Sequence, residues 1–552
     1  MENSDWTFDK KKCEWIDQEG IRYSENKEVL KDCPEDYEGT FCIPDFVTSI
    51  GNAAFWGCSN LMEIIIPESV TSIGENAFWD CSSLREIIIP ESVTSIGKAA
   101  FQGCSSLREI TIPYSLTSIG NGTFGRCSSL REIFIPYSVT SIGKEAFWDC
   151  SSLREISIPH SVTSIGYYAF EFCSSLISIE IPSSVTSIGG AVFKGCSNLR
   201  EIFIPESVTS IGEAAFQGCT KLNNLKIPAS VTSIEGAAFK GCTNLFAIKI
   251  PASVTSIGGA AFKSCTSLSK IEIPASVTDI GKSAFMGCSN LVEITIPESI
   301  TRIKDETFFK CPELQIISIP ATVTRIGNSA FASCSNLESI TIPQSVTSID
   351  DYAFHGCYNL RKIEIPKSVE KIGKEAFWGC PIKEVILPPN TDYQPNSFDE
   401  VTKVVRAKVA ISYSWDNEEH KAWVRTLAED LQKNGVSVIF DQWEIKAGQL
   451  LPDFMEKSIM EAERVICIMT PNYKKKSDKL EGGVGYEYSI IKREIYKNIN
   501  GNKILPILRE GTANDSCPSS LSDRLYLDFR ENDSYKNSLN LLLREIFKVD
   551  DL

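Results

Sequence analysis

Polar and aromatic residues that could bind a nucleotide follow three apolar segments in the C-terminal part of the chain. They are Ser412, Tyr413, Ser414, Trp415 and Asp416, then Asp441, Gln442, Trp443 and Glu444, and finally Thr470, Asn472 and Tyr473. Aromatic rings suit stacking on a flat base, and carboxylates suit ribose hydroxyls or a developing cation. Since the chain has no GxxxxGK phosphate loop, the set favours cleavage of a nucleotide's glycosidic bond over phosphoryl transfer. Core aromatics beside a solvated rim are the alternative explanation.

Five apolar strands, with helices between them, must position these residues. The sequence predicts strands at 408–413, 436–440, 465–469, 503–508 and 525–529, and helices near 423–431, 454–462, 486–498 and 538–547. This alternation predicts a parallel, doubly wound α/β domain. In such domains ligands bind beyond the carboxyl ends of the strands, where the polar residues lie.

Most of the remaining chain is a repeat of 23 residues. Cysteine recurs at this step from Cys58 to Cys380, and phenylalanine from Phe55 to Phe377. The unit that begins at Pro67 reads PESVTSIGENAFWDCSSLREIII. Because so short a unit cannot bury its apolar face alone, about fifteen units are predicted to stack into a solenoid.

The repeat accounts for most of the 20 cysteines. Stacked thiols could carry redox or metal chemistry, but each unit supplies one cysteine without a CxxC pair or a histidine partner. We therefore predict reduced thiols that fill a corner of each coil as small hydrophobic groups, and no metal site. The histidines His160, His355 and His420 are too few and too scattered for a histidine-based metal site or a catalytic triad.

Each unit contains a short β-branched segment that predicts a strand. In Ile87-Ile88-Ile89 the first and third side chains should face in and Ile88 should face out. The outward position varies between units, and in the N-terminal half it includes Ile65, Ile88, Phe134 and Phe203. Exposed apolar groups beside an Arg-Glu stripe predict a protein-binding surface. Neutral drift at a solvated position is the alternative.

Composition predicts an N-terminal cap at 1–40, the solenoid at 41–390, a linker at 391–405 and the α/β domain at 406–552. The net charge is −16, yet residues 401–552 carry 23 basic and 24 acidic side chains, so the solenoid and cap hold nearly all of it. This acidity argues against binding to nucleic acid or anionic membranes. Apolar runs fall short of the ~18 residues of a membrane span. With no secretory signal at the N-terminus, we expect a cytoplasmic protein.

Two resemblances follow from these motifs. The repeat motif LxxIxIPxSVTSIGxxAFxxC resembles the BspA-like class of leucine-rich repeats, which implies an interaction surface. The C-terminal domain resembles a bacterial TIR (Toll/interleukin-1 receptor) domain of the SEFIR-related branch. The second resemblance rests on four blocks in order: VAISYSW from Val409, FDQW from Phe440 with Gly448, TPNY from Thr470 and GGVGYE from Gly482.

The TIR resemblance implies a flavodoxin-like fold that self-associates. It also implies either a signalling adaptor or an enzyme that cleaves NAD+ to nicotinamide and ADP-ribose or a cyclic variant. Glu487 matches the family's catalytic glutamate early in the third helix, and 441–453 matches the BB loop, which mediates assembly and gates the site. A helix-surface glutamate favoured by the helix dipole is the alternative for Glu487.

The chemistry agrees with the enzymatic alternative. The nicotinamide ring nitrogen is cationic in NAD+, so the ring leaves without a strong general acid, and one carboxylate can stabilise an oxocarbenium-like transition state. NAD+ is then the substrate, and no other cofactor is expected. The residues predicted to bind it are Ser412, Tyr413, Trp415, Asp441, Trp443 and Tyr473.

Together these features predict a sensor–effector protein. The solenoid would bind an unidentified protein or microbial ligand, and the TIR domain would self-associate and hydrolyse NAD+ in bacterial immunity or signalling. Two alternatives are a non-enzymatic TIR adaptor and a host-directed effector that interferes with TIR signalling.

Overall fold

The protein combines a long array of short parallel strands with a C-terminal α/β domain. Its structure, a computed structural model, describes residues 6–223, 225–388, 391–405, 407–441, 451–497, 501–531 and 534–547. Both parts of the predicted fold class, the repeat solenoid and the parallel α/β domain, are confirmed.

Two stacks of strands run along the solenoid, one on each side of the coil. The first consists of Ser49–Ile50, Ser72–Ile73, Ser95–Ile96, Ser118–Ile119, Ser141–Ile142, Ser164–Ile165, Ser210–Ile211, Ser233–Ile234, Ser256–Ile257, Asp279–Ile280, Arg302–Ile303, Arg325–Ile326, Ser348–Ile349, Lys371–Ile372 and Asp392–Tyr393. The second consists of Gly39–Cys42, Leu61–Ile65, Glu86–Ile88, Glu109–Thr111, Glu132–Phe134, Glu155–Ser157, Ser178–Glu180, Glu201–Phe203, Ala247–Lys249, Lys270–Glu272, Glu293–Thr295, Ile316–Ser318, Glu384–Ile386 and Lys403–Val405. Neighbouring strands pair in parallel; Ile64 lies beside Ile87, for example, one repeat later.

The predicted direction of the strand residues is confirmed. Ile87 and Ile89 are each 3% exposed, whereas Ile88 is 77% exposed. Because side chains alternate across a strand, the middle residue is buried and its two neighbours are exposed in every three-residue strand of the second stack from Glu86–Ile88 to Ile316–Ser318. The second stack therefore presents a continuous, variable outer face.

Inside the coils, phenylalanines and cysteines form two continuous columns. The phenylalanine rings stack from Phe55 to Phe398, with centroid separations between 5.0 and 5.7 Å. Each thiol donates to a carbonyl of an earlier coil, as Cys104 Sγ does to Phe78 O over 3.1 Å. The repeat cysteines are buried and free, so the predicted role as small hydrophobic groups is confirmed.

An antiparallel segment covers the N-terminal end of the array. Trp6–Asp9, Glu14–Asp17, Arg22–Tyr23 and Val29–Asp32 pair in sequence, and the last of these pairs in parallel with Ser49–Ile50. This segment, which lacks the repeat, thereby pairs the backbone groups at the N-terminal edge of the first stack.

Residues 391–405, predicted to be a linker, instead continue the solenoid. Asp392–Tyr393 pairs with Lys371–Ile372, and Phe398 stacks on Phe377 at 5.1 Å. Lys403–Val405 then pairs with Glu384–Ile386. The segment does not follow the period of 23 residues, but its apolar residues pack on those of the preceding coil. It therefore forms an irregular further coil.

The α/β domain is built on five parallel strands, β1 (Ala407–Ser412), β2 (Val436–Ile439), β3 (Arg464–Met469), β4 (Ile504–Leu508) and β5 (Leu527–Asp528). Their order in the sheet is β2-β1-β3-β4-β5. The described helices are α1 (Glu418–Lys433), α2 (Leu451–Glu461), α3 (Pro471–Lys479), α4 (Gly482–Lys497), α5 (Ala513–Ser516) and α6 (Tyr535–Phe547), with a 3-10 turn at Ser519–Leu521. Buried apolar clusters lie on both faces of the sheet, as the doubly wound prediction requires.

Helix α3 was not among the predicted elements. Thr470 caps it by accepting from the Tyr473 N–H, and Pro471 occupies its first turn. Both are signals for a helix start, but the lysine-rich run that follows lacks an apolar stripe. Because α3 lies between α2 and the helix that carries Glu487, this glutamate is in the fourth of the described helices and not in the third.

Among the residues that the structure describes, none of the helices has the length and apolar character needed to cross a bilayer.

Candidate functional site

The carboxyl ends of β1 and β3 and the first turns of α4 meet at one edge of the sheet. Ser412, the last residue of β1, donates from Oγ to Glu487 Oε2 over 2.7 Å. The Tyr473 hydroxyl lies 3.0 Å from the same Oγ. A serine hydroxyl carries one proton, so when it donates to Glu487 it accepts from Tyr473. The three groups thus form a chain that holds the glutamate.

The carboxyl group of Glu487 is in an unusual electrostatic setting. Burial raises its pKa, the Ser412 hydrogen bond opposes this, and the nearby Asp441 charge adds to the rise, with a net pKa of about 8. Burial also raises the pKa of Tyr473 well above its usual range, so this phenol keeps its proton. A carboxyl group in such surroundings gains most from a ligand that brings positive charge.

Asp441 lies two residues beyond the end of β2, and two aromatic side chains donate hydrogen bonds to it. The Tyr413 hydroxyl donates to its two carboxylate oxygens over 3.0 and 3.3 Å, and Trp415 Nε1 donates to Oδ2 over 3.3 Å. Since β1 and β2 are neighbours in the sheet, residues from the two strand ends converge. Asp441 is a second carboxylate near Glu487, close enough for its charge to raise the pKa of the glutamate.

Trp415 has an exposed aromatic ring at this edge of the sheet. Its side chain is 59% exposed, and the Lys421 ammonium lies 4.7 Å from the ring centroid. Tyr413 and Tyr473, in contrast, are buried. Among the described aromatic residues predicted to bind NAD+, Trp415 has the exposed ring, whereas the hydroxyl groups of Tyr413 and Tyr473 hydrogen-bond to Asp441 and Ser412.

Asp416 organises the loop beyond β1, a role that the sequence did not single out. It accepts from Thr470 Oγ1 over 2.6 Å and from the Asn472 side-chain amide. Ser414 Oγ lies 3.2 Å from the same threonine hydroxyl. These bonds join the β1 loop to the start of α3, because β1 and β3 are adjacent. The order of the strands was the signal that could have revealed this contact.

Gly485 brings α4 close to the end of α3. A Cβ atom at this position would lie 2.1 Å from the backbone carbonyl carbon of Leu480. Leu480 itself adopts the left-handed conformation that ends α3, with φ of 54°. A side chain at position 485 would force the two segments apart and move Glu487, which is two residues further along the helix.

The structure brings together Ser412, Tyr413, Trp415, Asp441, Tyr473 and Glu487 from the predicted site. Trp443 and most of the predicted BB loop lie outside the described residues. The predicted surface residues Ile65, Ile88, Phe134 and Phe203 are on the outer face of the solenoid's second stack and are all exposed. Within the described part of the chain, no group of three or more His, Cys, Asp or Glu side chains is arranged to hold a metal ion.

Comparisons with known proteins agree with both parts of the fold. Residues 39–154, 117–245, 209–338 and 324–413 match the BspA type leucine rich repeat region (6 copies), and residues 409–543 match the TIR domain. A solved leucine-rich repeat protein from Bacteroides ovatus is 32% identical, with a TM-score of 0.59, over 73% of this chain and 98% of its own.

Two further similarities concern the C-terminal domain. The 2' cyclic ADP-D-ribose synthase AbTIR of Acinetobacter baumannii is 26% identical over 160 residues, which are 29% of this chain and 53% of that protein. The match therefore spans about half of the length of that relative. A solved prokaryotic SEFIR domain is 37% identical over 26% of this chain and 92% of its own, with a TM-score of 0.22.

The repeat match covers well over half of the chain, and the TIR match covers the α/β domain that carries the site. The chain belongs to the BspA-type leucine-rich repeat family and ends in a TIR domain.

Proposed function

We propose that the TIR domain cleaves the bond between nicotinamide and ribose in NAD+, and that the solenoid controls this activity by binding a partner. The observation that carries the proposal is the Glu487 carboxyl group, held by Ser412 at the carboxyl edge of the sheet. The similarity to AbTIR, a 2' cyclic ADP-D-ribose synthase, supports the same reaction class.

The neighbouring groups fit the steps of this reaction. Trp415, exposed beside Asp441, offers a surface on which nicotinamide or adenine can stack. As the glycosidic bond breaks, positive charge develops on the ribose, and the Glu487 carboxylate stabilises it. Nicotinamide departs as a neutral ring, and water or a ribose hydroxyl takes its place, which gives a linear or a cyclic product.

The raised pKa of Glu487 does not oppose this role. At neutral pH burial favours the protonated form in the free protein, with the pKa near 8. The cationic nicotinamide ring of bound NAD+ favours the ionised form, since an opposite charge lowers the pKa of a carboxyl group. Substrate binding and ionisation of Glu487 are therefore coupled.

The proposed sensor is the outer face of the solenoid's second stack, with Ile65, Ile88, Phe134 and Phe203 as contact residues. Repeat arrays of this kind mediate protein interaction, and TIR domains commonly self-associate. We expect partner binding to promote contacts between TIR domains.

The described structure contains 20 free cysteines, in keeping with a reducing cytoplasm, and a role in bacterial immunity or signalling stays a prediction.

The test is NAD+ consumption and nicotinamide release by the full-length protein, measured over a series of protein concentrations. The Glu487→Gln variant should lose at least about a hundredfold in rate, the scale of one transition-state electrostatic contact. Glu481→Gln is the matched control, because Glu481 is exposed just before α4. It should retain activity.

Equal activity of the two variants would refute the assignment of Glu487. If the unmodified protein consumed no NAD+ at any concentration, even with its TIR domains crosslinked, the adaptor alternative would replace the enzymatic one. Chromatography of the products would separate ADP-ribose from its cyclic variants.

A further inference from the structure

The outer face of the solenoid contains an open depression in its N-terminal half, with a volume of about 930 Å³. It extends over five successive coils, from the strand Glu109–Thr111 to the strand Glu201–Phe203. Of the four predicted contact residues, Phe134 and Phe203 line it, whereas Ile65 and Ile88 do not. Of the proposed sensor surface, the part around Phe134 and Phe203 therefore has the shape of a binding site.

The charged lining of the depression has a single sign. Among the described residues that line it are the glutamates 109, 132, 155, 180 and 201, together with His160, and lysine and arginine are absent from this lining. All five glutamates are exposed, and the ion pairs found in the described part of the chain include none of them. Exposed arginines precede four of these glutamates in the chain but lie outside the lining, so the excess of negative charge is local to the depression; they are Arg108, Arg131, Arg154 and Arg200.

The register of the strands brings these carboxylates close together. Glu132 pairs directly with Glu155, and Glu109 occupies the same strand position one coil earlier, since Thr111 pairs with Phe134. In a parallel sheet such neighbours are about 4.8 Å apart. Like charges placed side by side on adjacent strands repel each other. A cationic ligand would remove that repulsion as well as form new ion pairs.

Aromatic side chains lie between the glutamates. Phe134, Tyr137 and Phe203 line the depression and are exposed. Aromatic faces attract cations, most often the guanidinium of arginine, and they also bury apolar side chains. Acidic and aromatic groups in one surface complement a ligand that carries both basic and apolar groups.

We propose that this depression binds an extended basic segment of a partner protein, in which arginine or lysine alternates with apolar residues. Five adjacent strands span about 19 Å, the length of about six residues in an extended chain. Because successive side chains of an extended chain point to opposite sides, the basic side chains can all face the glutamates and the aromatic rings, while the apolar side chains lie on the other side of the segment. The inference rests on the proposed sensor role of the solenoid and specifies its partner.

The test uses the full-length protein and a fluorescent peptide that alternates arginine with valine; a second peptide has aspartate in place of arginine. Fluorescence anisotropy measures binding at low and at physiological salt. The arginine peptide should bind, more weakly at higher salt because the charges are screened. The aspartate peptide should not bind.

The decisive variant replaces Glu109, Glu132 and Glu155 with glutamine. Its matched control carries the same change at Glu293, Glu298 and Glu313, which are exposed on the solenoid outside the depression. We expect about a tenfold or greater loss of affinity in the first variant and little loss in the control. Phe134→Ser should also weaken binding, while Ile316→Ser, at an exposed apolar position of the second stack outside the depression, should not.

Equal weakening by the two triple variants would mean that only overall charge matters, and this would overturn the proposal. So would equal binding of the arginine and aspartate peptides. Circular dichroism of each variant verifies that the solenoid is folded. Because binding is measured without NAD+, a failure here is distinct from a failure of the proposed hydrolysis.

Discussion

Ser412 and Glu487 are 75 residues apart in the chain, yet a hydrogen bond of 2.7 Å joins the serine Oγ to the glutamate Oε2. Ser412 is the last residue of β1, and Glu487 lies near the start of α4. The bond does two things at once: it orients the carboxylate, and it opposes the effect of burial on its pKa.

Removal of this hydrogen bond should shift the pH dependence of activity. In the Ser412→Ala variant the pKa of Glu487 should rise above about 8, since burial is no longer opposed. Activity that needs the ionised carboxylate increases with pH through this pKa, so the rising limb of kcat/KM should move to higher pH. The pH profile of kcat/KM in full-length protein measures the shift.

Ser414→Ala is the control for that experiment. Ser414 is also buried at the end of β1, but it bonds to Thr470 and not to Glu487. Its removal can lower stability or activity, but it should leave the position of the rising limb unchanged. An unshifted profile in Ser412→Ala, or the same shift in both variants, would contradict the proposed coupling.

The Glu487→Gln variant should be more stable than the unmodified protein at alkaline pH. The pKa of Glu487 is raised from 4.5 to about 8, so the folded state binds the proton more tightly than the unfolded state. The stabilisation from this proton is complete below the unfolded pKa and is lost as pH rises through the folded pKa. Glutamine has no proton to lose.

Thermal unfolding of the TIR domain in the full-length protein, followed at about pH 5 and about pH 9, measures this effect. The difference in Tm between Glu487→Gln and the unmodified protein should grow from the lower to the higher pH. Glu481→Gln, at an exposed position, should show no such trend. A difference that is constant with pH would show that Glu487 does not titrate as inferred.

Two equivalent glycines of the repeat should respond to alanine with opposite signs. A Cβ at Gly97 would lie 2.4 Å from the backbone nitrogen of Glu75 in the preceding coil, whereas at Gly189 its nearest neighbours are 3.5 Å away. Gly97→Ala should destabilise the solenoid by about 2 kcal/mol because backbone must move. Gly189→Ala should stabilise it by about 0.5 kcal/mol, because alanine lowers the conformational entropy of the unfolded chain.

Urea denaturation of the two variants, with circular dichroism as the signal, compares their midpoints. Similar midpoints in both would indicate that the coils can separate at Gly97 without cost, contrary to the close stacking of the first strand stack.

Thiol reactivity should distinguish the two exposed cysteines from the rest. Cys13 and Cys42 are exposed, and the other 18 of the 20 are buried. Burial raises the pKa of repeat thiols such as Cys104, Cys150 and Cys196, so that the reactive thiolate is disfavoured. A thiol reagent should therefore modify two sites quickly in the native protein and all 20 after denaturation. Rapid reaction of a Cys column would reject its structural role.

Much of the fold could be predicted from local signals. The period of 23 residues requires stacking, and alternation of Ile87, Ile88 and Ile89 sets which side chains face inward. In the α/β domain, apolar strands between helices predict a parallel sheet, and the carboxyl ends of its strands mark the site. Helix α3 was not predicted because its lysine-rich sequence has no apolar stripe. In the structure the helix forms nonetheless, beginning at the Thr470 cap and Pro471.

The sequence alone thus determined a repeat solenoid, a parallel α/β domain and the set of polar residues from which the site is built. Tertiary structure decided which of these residues meet. The contacts of Ser412 with Glu487 and of Asp416 with Thr470 depend on the strand order β2-β1-β3, which follows from packing between distant segments. Tertiary structure also decided the conformation of residues 391–405. They form a further coil of the solenoid, in which Phe398 stacks on the ring of Phe377.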